Sequence, residues 1–127
     1  IGMDAVLETS FPSLISIGND VVIGMRCTLI GHFEGDVAAY GVPDRATLRL
    51  EDQVFLGPGV IVMPNVTIGH GSVVAAGSVV TRSVPAQRFV QGNPARVIAT
   101  CTKPLGLCTP TWEFLRGVRK IEPEKQT

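Results

Sequence analysis

Acidic residues are missing from a long internal stretch of the chain. No Asp or Glu occurs from Gln53 to Trp112, although the formal net charge of all 127 residues is zero. The charged residues of that stretch are all basic, namely Arg82, Arg88, Arg96 and Lys103. A segment with only positive charge can hold an anionic ligand, and arginine suits phosphate groups well. The alternative is that these side chains only solubilise an otherwise apolar stretch.

The low content of aromatic residues, the zero net charge and the lack of long apolar runs argue against further classes of protein. The chain has one Trp, one Tyr and no net positive charge, which argues against a nucleic-acid partner. It has no run of eighteen apolar residues and no signal-peptide pattern, so we expect no membrane span. The three cysteines, Cys27, Cys101 and Cys108, are an odd number without metal-ligand spacing. That pattern suits a reducing compartment, and we expect a cytoplasmic location.

What the sequence does contain is a period of six. Residues 50–85 read LEDQVFLGPGVIVMPNVTIGHGSVVAAGSVVTRSVP, with an aliphatic residue at every sixth position from Leu50 to Val80. A second series of small residues runs in phase with it, from Val54 to Val84. Such a short repeat predicts a parallel β-helix in which each hexad supplies one strand and one turn, and three hexads make one triangular coil. Consecutive β-hairpins would show alternation broken by two-residue turns at longer spacing.

The six-residue period is kept in some parts of the chain and interrupted in others, and this divides the chain into regions. Ile17, Ile23 and Leu29 begin three earlier hexads, and a smaller break lies at SFPSLIS. Residues 31–47 break the period and concentrate Gly, Asp and Pro, which predicts a loop that projects from the stack. We therefore expect one β-helix domain over residues 1–98 and a C-terminal extension over residues 99–127. Because Ile1 already lies in a repeat-like unit, the chain looks either processed or cut from something longer.

The extension contains one candidate helix. Its apolar residues Trp112, Leu115, Val118 and Ile121 have helix-like spacing, and they predict a short amphipathic helix.

The two histidines differ in their surroundings. His32 begins the projecting loop and is followed by Glu34 and Asp36, so it is a candidate general base whose tautomer a carboxylate could fix. An exposed loop histidine is the alternative. His70 occupies a regular hexad, where we expect it at the surface. Two histidines cannot complete a zinc site within one chain, so no metal is expected unless subunits share a site.

The ordered motifs carry a resemblance. The series IGNDVVIGMRCTLIGH, then AAGSVVTRSVP and GNPARVI, resembles the left-handed β-helix acyltransferases with hexapeptide repeats, among them galactoside, maltose and serine acetyltransferases. The resemblance covers roughly residues 15–98. It implies a trimer with sites between subunits, which transfers an acetyl or other acyl group from acyl-CoA to a hydroxyl or amine of a small acceptor.

The resemblance also assigns roles to residues. His32 matches the catalytic base, which would take the acceptor's proton. Ala76 would offer backbone groups to the pantetheine arm of CoA, and Thr81 and Arg82 would lie near its adenosine-phosphate end. Arg96 matches a basic residue that approaches the CoA phosphates. Cys27 is expected to be a small packing residue rather than a nucleophile.

The sequence departs from the family pattern in two ways, and the identity of the acceptor therefore stays open. The loop after His32 lacks the further histidines and proline that sugar acetyltransferases often show, and the N-terminal helical domain of serine acetyltransferases is not present. An O-acyltransferase with a sugar or another hydroxylated acceptor is the leading hypothesis, and N-acylation fits the same residues. The alternatives are a metalloenzyme similar to the γ-carbonic anhydrases, which share the fold, and a non-catalytic β-helix module.

Overall fold

A triangular stack of short strands forms the body of the protein. The computed structural model describes residues 1–106 and 109–121. The strands of the stack are β1 (Val6–Leu7), β2 (Ile15–Ile17), β3 (Val22–Ile23), β4 (Thr28–Leu29), β5 (Leu48–Leu50), β6 (Phe55–Leu56), β7 (Ile61–Val62), β8 (Thr67–Ile68), β9 (Val73–Val74) and β10 (Val79–Val80). A 3-10 turn, Pro12–Leu14, precedes β2.

Every third strand of the stack lies on the same face. Face A contains β1, β4, β7 and β10, face B contains β2, β5 and β8, and face C begins with β3, β6 and β9. All strand pairs within this stack are parallel, and the register joins Leu29 to Val62 and Val62 to Val80. The left-handed parallel β-helix that we expected is therefore the fold of the chain.

The hexad positions build the core because both in-phase series point inward. The aliphatic series from Leu50 to Val80 is at most 1% exposed, and Val54 to Val66 of the second series is equally buried. Ser72 and Ser78 continue that second series inside, where their hydroxyls bond backbone groups of the next segment. Burying one aliphatic side chain contributes about 1.5–3 kcal/mol, so the repeat is the main source of stability.

The corners of the prism use two different residue positions. The fourth position of a hexad takes a positive φ, as Asn65 (65°) and Gly77 (73°) do. The second position instead needs glycine for close approach, since a Cβ on Gly57 would lie 2.7 Å from the backbone nitrogen of Ala76. Gly57 does not take a positive φ, so the constraint at the second position is the neighbouring coil.

The C-terminal segment extends and covers face C. Strands β11 (Arg88–Gly92), β12 (Ala95–Cys101) and β13 (Val118–Lys120) follow β9 in that sheet. Helix α2 (Thr111–Arg116) packs Phe114 against Phe55 and Phe89 in an apolar cluster on the outside of the sheet. Strand β12 runs through residue 98, and the division there into two regions stays a prediction.

The C-terminal helix is present but shorter than its predicted apolar stripe. Phe114 is its buried residue, whereas Trp112 and Leu115 are exposed and Val118 lies in β13. The helix ends at Arg116, and Gly117 after it interrupts the spacing that we interpreted as one helical face. Residues 122–127 of the predicted extension lie outside the described residues.

The projecting segment contains a helix that we did not predict. Helix α1 (Glu34–Tyr40) has Glu34 and Asp36 in its first turn and ends at Gly41, whose φ is 81°. Acidic residues at a helix N-terminus and a glycine after its C-terminus are stabilising. None of its residues is buried. Neither α1 nor α2 has the length or the apolar composition needed to cross a membrane, and the described residues contain no other candidate.

Two of the three cysteines are buried. Cys27 is fully buried, and its thiol donates a hydrogen bond to the carbonyl oxygen of Gly57 at 3.2 Å. Burial raises the pKa of the Cys27 thiol and that of Cys101. Cys27 is therefore a packing residue, as expected, and a poor nucleophile. Cys108 lies outside the described residues.

Candidate active site

His32 lies between two carboxylates at one corner of the prism. Its Nδ1 lies 2.6 Å from Oε1 of Glu8, and its Nε2 lies 2.8 Å from Oε1 of Glu34. The ring also makes an edge contact with Phe11, with a centroid distance of 5.1 Å. The side chain of His32 is 11% exposed and that of Glu8 is 4% exposed. The imidazole is thus held on one side by a buried acid and on the other by a surface acid.

Backbone geometry fixes the position of Glu8. Leu7 pairs in register with Leu29, so Glu8 stands beside the end of β4, one coil above the start of the projecting segment. Its Oε1 also accepts a hydrogen bond from the backbone N–H of Gly31 at 3.0 Å. Its Oε2 accepts bonds from the backbone N–H groups of Ser10 and Phe11. Burial alone would raise the pKa of Glu8, but the bonds from His32 and these N–H groups outweigh it and lower that pKa.

An ionised Glu8 determines the tautomer of His32. The carboxylate can only accept, so Nδ1 of His32 carries a proton and donates it to Glu8. The bond to Glu34 raises the pKa of His32 most, and the bond to Glu8 raises it further, against a lowering by burial. With carboxylates on both nitrogens, the observed arrangement fits the imidazolium. When Nε2 loses its proton, its lone pair points toward the position of Glu34.

Glu34 lies at the surface, where its side chain can move away from Nε2 of His32. Its side chain is 92% exposed, and it belongs to α1, which buries no residue. An exposed ion pair contributes little to stability. The Nε2 atom can therefore become accessible without disturbing the buried contact between His32 and Glu8.

A cleft of about 280 Å³ lies beside His32. Helix α1 contributes Asp36, Val37 and Tyr40 to its lining, and the next coil contributes Pro64 and Asn65. Thr47, at the end of the projecting segment, donates a hydrogen bond to the carbonyl oxygen of Gly31 and so ties the two ends of the segment together. This cleft could admit a small acceptor next to a base.

Thr81 and Arg82 lie on the same edge of the prism as His32. Ile30 donates to the carbonyl of Val62, and Met63 donates to the carbonyl of Val80, each at 3.0 Å. The residues after β4, β7 and β10 therefore stack along one corner, with adjacent coils about 4.8 Å apart. Both Thr81 and Arg82 are exposed, two coils from the start of the His32 segment.

Ala76 and Arg96 lie elsewhere. Ala76 follows β9 on face C and precedes β10 on face A, so it belongs to a different edge. Arg96 pairs with Gln91 in the β11–β12 hairpin. The backbone N–H of Ala75 donates a hydrogen bond to the carbonyl oxygen of Val90 in this hairpin. One chain thus places His32, Thr81 and Arg82 on one edge and Ala76 near Arg96 on another. The roles of all five residues stay predictions.

The remaining charged candidates have local partners. Lys103 pairs with Glu113 at 2.5 Å, and Arg88 donates to the carbonyl oxygens of Ala86 and Gln87. His70 is exposed, as we expected, and lies on the edge between faces B and C, away from the corner that holds His32. Among the described residues, no three His, Cys, Asp or Glu side chains converge as metal ligands would.

Comparison with known proteins places this architecture in a family. Residues 48–82 match the bacterial transferase hexapeptide model (six repeats), and residues 14–31 match the hexapeptide repeat of succinyl-transferase. The chain is 38% identical to YvoF of Bacillus subtilis, a protein named as an acetyltransferase. The match covers 73% of this chain and 52% of YvoF. The chain belongs to the hexapeptide-repeat acyltransferases. It spans about half the length of YvoF.

Solved structures of hexapeptide-repeat proteins superimpose on most of the chain. The polySia-specific acetyltransferase NeuO matches with a TM-score of 0.63 and 29% identity, over 87% of this chain and 50% of NeuO. A hexapeptide-repeat acetyltransferase of Vibrio cholerae, complexed with acetyl-CoA, matches with a TM-score of 0.52 and 26% identity. That match covers 79% of this chain and 69% of the Vibrio protein.

Proposed function

We propose that this β-helix transfers an acyl group, usually acetyl, from CoA to a hydroxyl or amine of a small acceptor such as a sugar. The observation that carries the proposal is the histidine at the mouth of a cleft, with Glu8 bonded to Nδ1 at 2.6 Å. Acetyl-CoA in the Vibrio relative and the polySia specificity of NeuO support the donor and a sugar-type acceptor. A cytoplasmic location stays a prediction.

The proposed reaction is a direct transfer. Nε2 of neutral His32 takes the proton of the acceptor's O–H or N–H as that atom bonds to the thioester carbonyl carbon. Backbone N–H groups at a coil corner stabilise the oxyanion of the tetrahedral intermediate. The intermediate collapses with cleavage of the C–S bond, and the imidazolium returns the proton to the CoA sulfur. Glu8 stabilises the imidazolium between these two steps, and no cysteine takes part.

The site requires two copies of the chain. His32, Thr81 and Arg82 lie along one edge, whereas Ala76 and Arg96 lie by another edge of the same prism. A CoA molecule that contacts all five can do so where one edge of a subunit meets the second edge of its neighbour. A trimer, in which each heterologous contact repeats around a closed ring, would give three equal sites.

A thiol-release assay tests the chemistry. The protein is incubated with acetyl-CoA and a panel of sugars and amino sugars, and free CoA is measured. We expect His32→Ala to lower kcat about 10²–10⁴-fold, the usual contribution of a general base. His70→Ala is the matched control and should keep wild-type turnover. Equal turnover by His32→Ala and wild type would contradict the proposed base.

Mixed oligomers test the arrangement of the site. Two inactive variants, His32→Ala and Ala76→Trp, are co-expressed so that their subunits assort in one oligomer. If each site combines His32 from one copy with Ala76 from its neighbour, about a quarter of the sites are intact under random assortment. Activity should return to about that level. Mixed oligomers that stay inactive would place both residues of each site on one chain.

A further inference from the structure

A second cleft adjoins the His32 cleft. Its volume is about 440 Å³, and it shares Pro43, Thr47 and Asn65 with the first cleft. Because three residues border both clefts, a single ligand could occupy the two together. The two clefts lie on the same side of the prism, where the projecting segment returns to the stack at β5.

The two clefts have opposite charge. The His32 cleft is bordered by Asp36, and Glu34 reaches His32 from α1. The second cleft is lined by Arg45 and Arg49, together with Thr67 and the shared Thr47 and Asn65. No carboxylate lines it within the described part of the chain. A ligand spanning both clefts would therefore meet a base at one end and two guanidinium groups at the other.

The two arginines are available to a ligand. Both are exposed, and the ion pairs of the described residues involve only His32 and Lys103 as the basic partners. Arg49 also borders a shallow depression with Glu51 and Asp52, but neither acid lies within 4.0 Å of its guanidinium. Elsewhere Arg88, Arg96 and Arg119 donate to backbone carbonyls of their own segments. Arg45 and Arg49 make no such bond in the described structure.

The projecting segment connects these arginines to the base. Arg45 lies in that segment and Arg49 is the central residue of β5 directly after it. Thr47 lies between them and donates to the carbonyl of Gly31, the residue before His32. The anchoring of Thr47 thus holds the arginine cleft at a fixed position relative to the imidazole. A ligand with the matching separation of groups would be oriented without rearranging the β-helix.

We propose that the acceptor carries an anionic group, phosphate or carboxylate, which Arg45 and Arg49 bind while its hydroxyl or amine lies at His32. Two guanidinium forks suit such oxyanions because each can donate two parallel hydrogen bonds. This inference rests on the proposed acyl transfer and adds the substrate class. The donor's phosphates are assigned to the other arginines, Arg82 and Arg96, so the two anion sites are separate.

Matched acceptors test the inference directly. Glucose, glucose 1-phosphate and glucuronate, and the amine pair glucosamine and glucosamine 1-phosphate, are compared as acceptors at saturating acetyl-CoA. We expect the anionic members to have the lower KM. Arg45→Ala and Arg49→Ala should raise that KM about 10- to 100-fold, as the loss of a charged hydrogen bond does, and leave the neutral members unchanged. The phosphate and carboxylate arms show which oxyanion is preferred.

Binding of inorganic pyrophosphate gives a readout that does not depend on turnover. With the donor site filled by saturating CoA, calorimetry should show pyrophosphate binding that Arg45→Ala and Arg49→Ala weaken about tenfold or more, while Arg116→Ala on α2 leaves it unchanged. Pyrophosphate affinity that falls in Arg82→Ala but not in Arg45→Ala would overturn the inference. So would neutral acceptors with the lower KM. Intact CoA binding and acyl transfer in either case would leave the proposed function standing, whereas loss of both would reject that function itself.

Discussion

Glu8 and His32 are 24 residues apart in sequence, yet the carboxylate of one lies 2.6 Å from the ring nitrogen of the other. Parallel pairing of Leu7 with Leu29 brings them together, so a buried acid reaches a histidine at the start of the projecting segment. The same acid accepts three backbone N–H bonds and stays ionised. The pair therefore gives the imidazole a fixed orientation, with Nε2 on the side of Glu34.

The activity should depend on pH through His32. The pKa of His32 is raised above its ordinary value of 6.5, first by Glu34 and then by Glu8, against a lowering by burial. A base acts when deprotonated, so kcat/KM should rise with pH through that raised pKa. In Glu34→Gln the rise should move to lower pH. Glu51→Gln is the control because Glu51 bonds the backbone of His70. An unmoved profile in Glu34→Gln would contradict the observed contact.

The stability conferred by Glu8 should be limited to a window of pH. Its pKa is lowered on folding, so its contribution is present above the ordinary value of 4.5 and is lost as pH falls. The pKa of His32 is raised, so the contribution of its charged form is present below 6.5 and is lost as pH rises through the raised pKa. The urea midpoints of wild type and Glu8→Gln should thus differ most between these values, at about pH 5–6.

The control for that window is the pair of Lys103 and Glu113. Lys103 is 53% exposed and Glu113 is 35% exposed, so Glu113→Gln should shift the midpoint little at any of these pH values. A difference between wild type and Glu8→Gln that stays constant from pH 4 to pH 8 would show that the Glu8 carboxylate contributes through packing and not through charge.

Truncating a buried hexad residue should destabilise the protein more than truncating an exposed residue at the same hexad position. Leu56 is fully buried at the first position of its hexad, whereas Ile17 at the same position is 38% exposed because it lies near the end of the stack. Leu56→Ala should lower the free energy of unfolding by about 2–5 kcal/mol. Ile17→Ala should lower it clearly less. Equal losses, measured by chemical denaturation, would contradict the observed burial.

The period of six was enough to predict the β-helix because the same steric demand recurs at every coil. Each aliphatic first position must face the axis, and each fourth position must turn the chain. Helix α1 was not predicted because its first turn contains Gly35 and its seven residues are too few to show a period. Its acidic first turn and Gly41 were the available signals.

Glu8 was missed because the first coil does not have the regular length. From Leu7 to Leu29 the chain takes 22 residues, whereas from Val62 to Val80 it takes 18. The extra residues lie at the break around SFPSLIS, so extending the period backwards pairs Leu29 with Phe11 and not with Leu7. The arginines of the second cleft were missed for a related reason, since the course of residues 31–47 follows from contacts such as that of Thr47 with Gly31.

A calorimetric titration with acetyl-CoA tests the central claim most directly. Wild type is compared with Arg82→Ala and Arg96→Ala, and Arg116→Ala is the control for a lost surface charge. We expect micromolar binding by wild type and the control, weakened about tenfold or more in the other two variants, as loss of a charged hydrogen bond to phosphate predicts. No detectable binding by the folded protein would contradict the account.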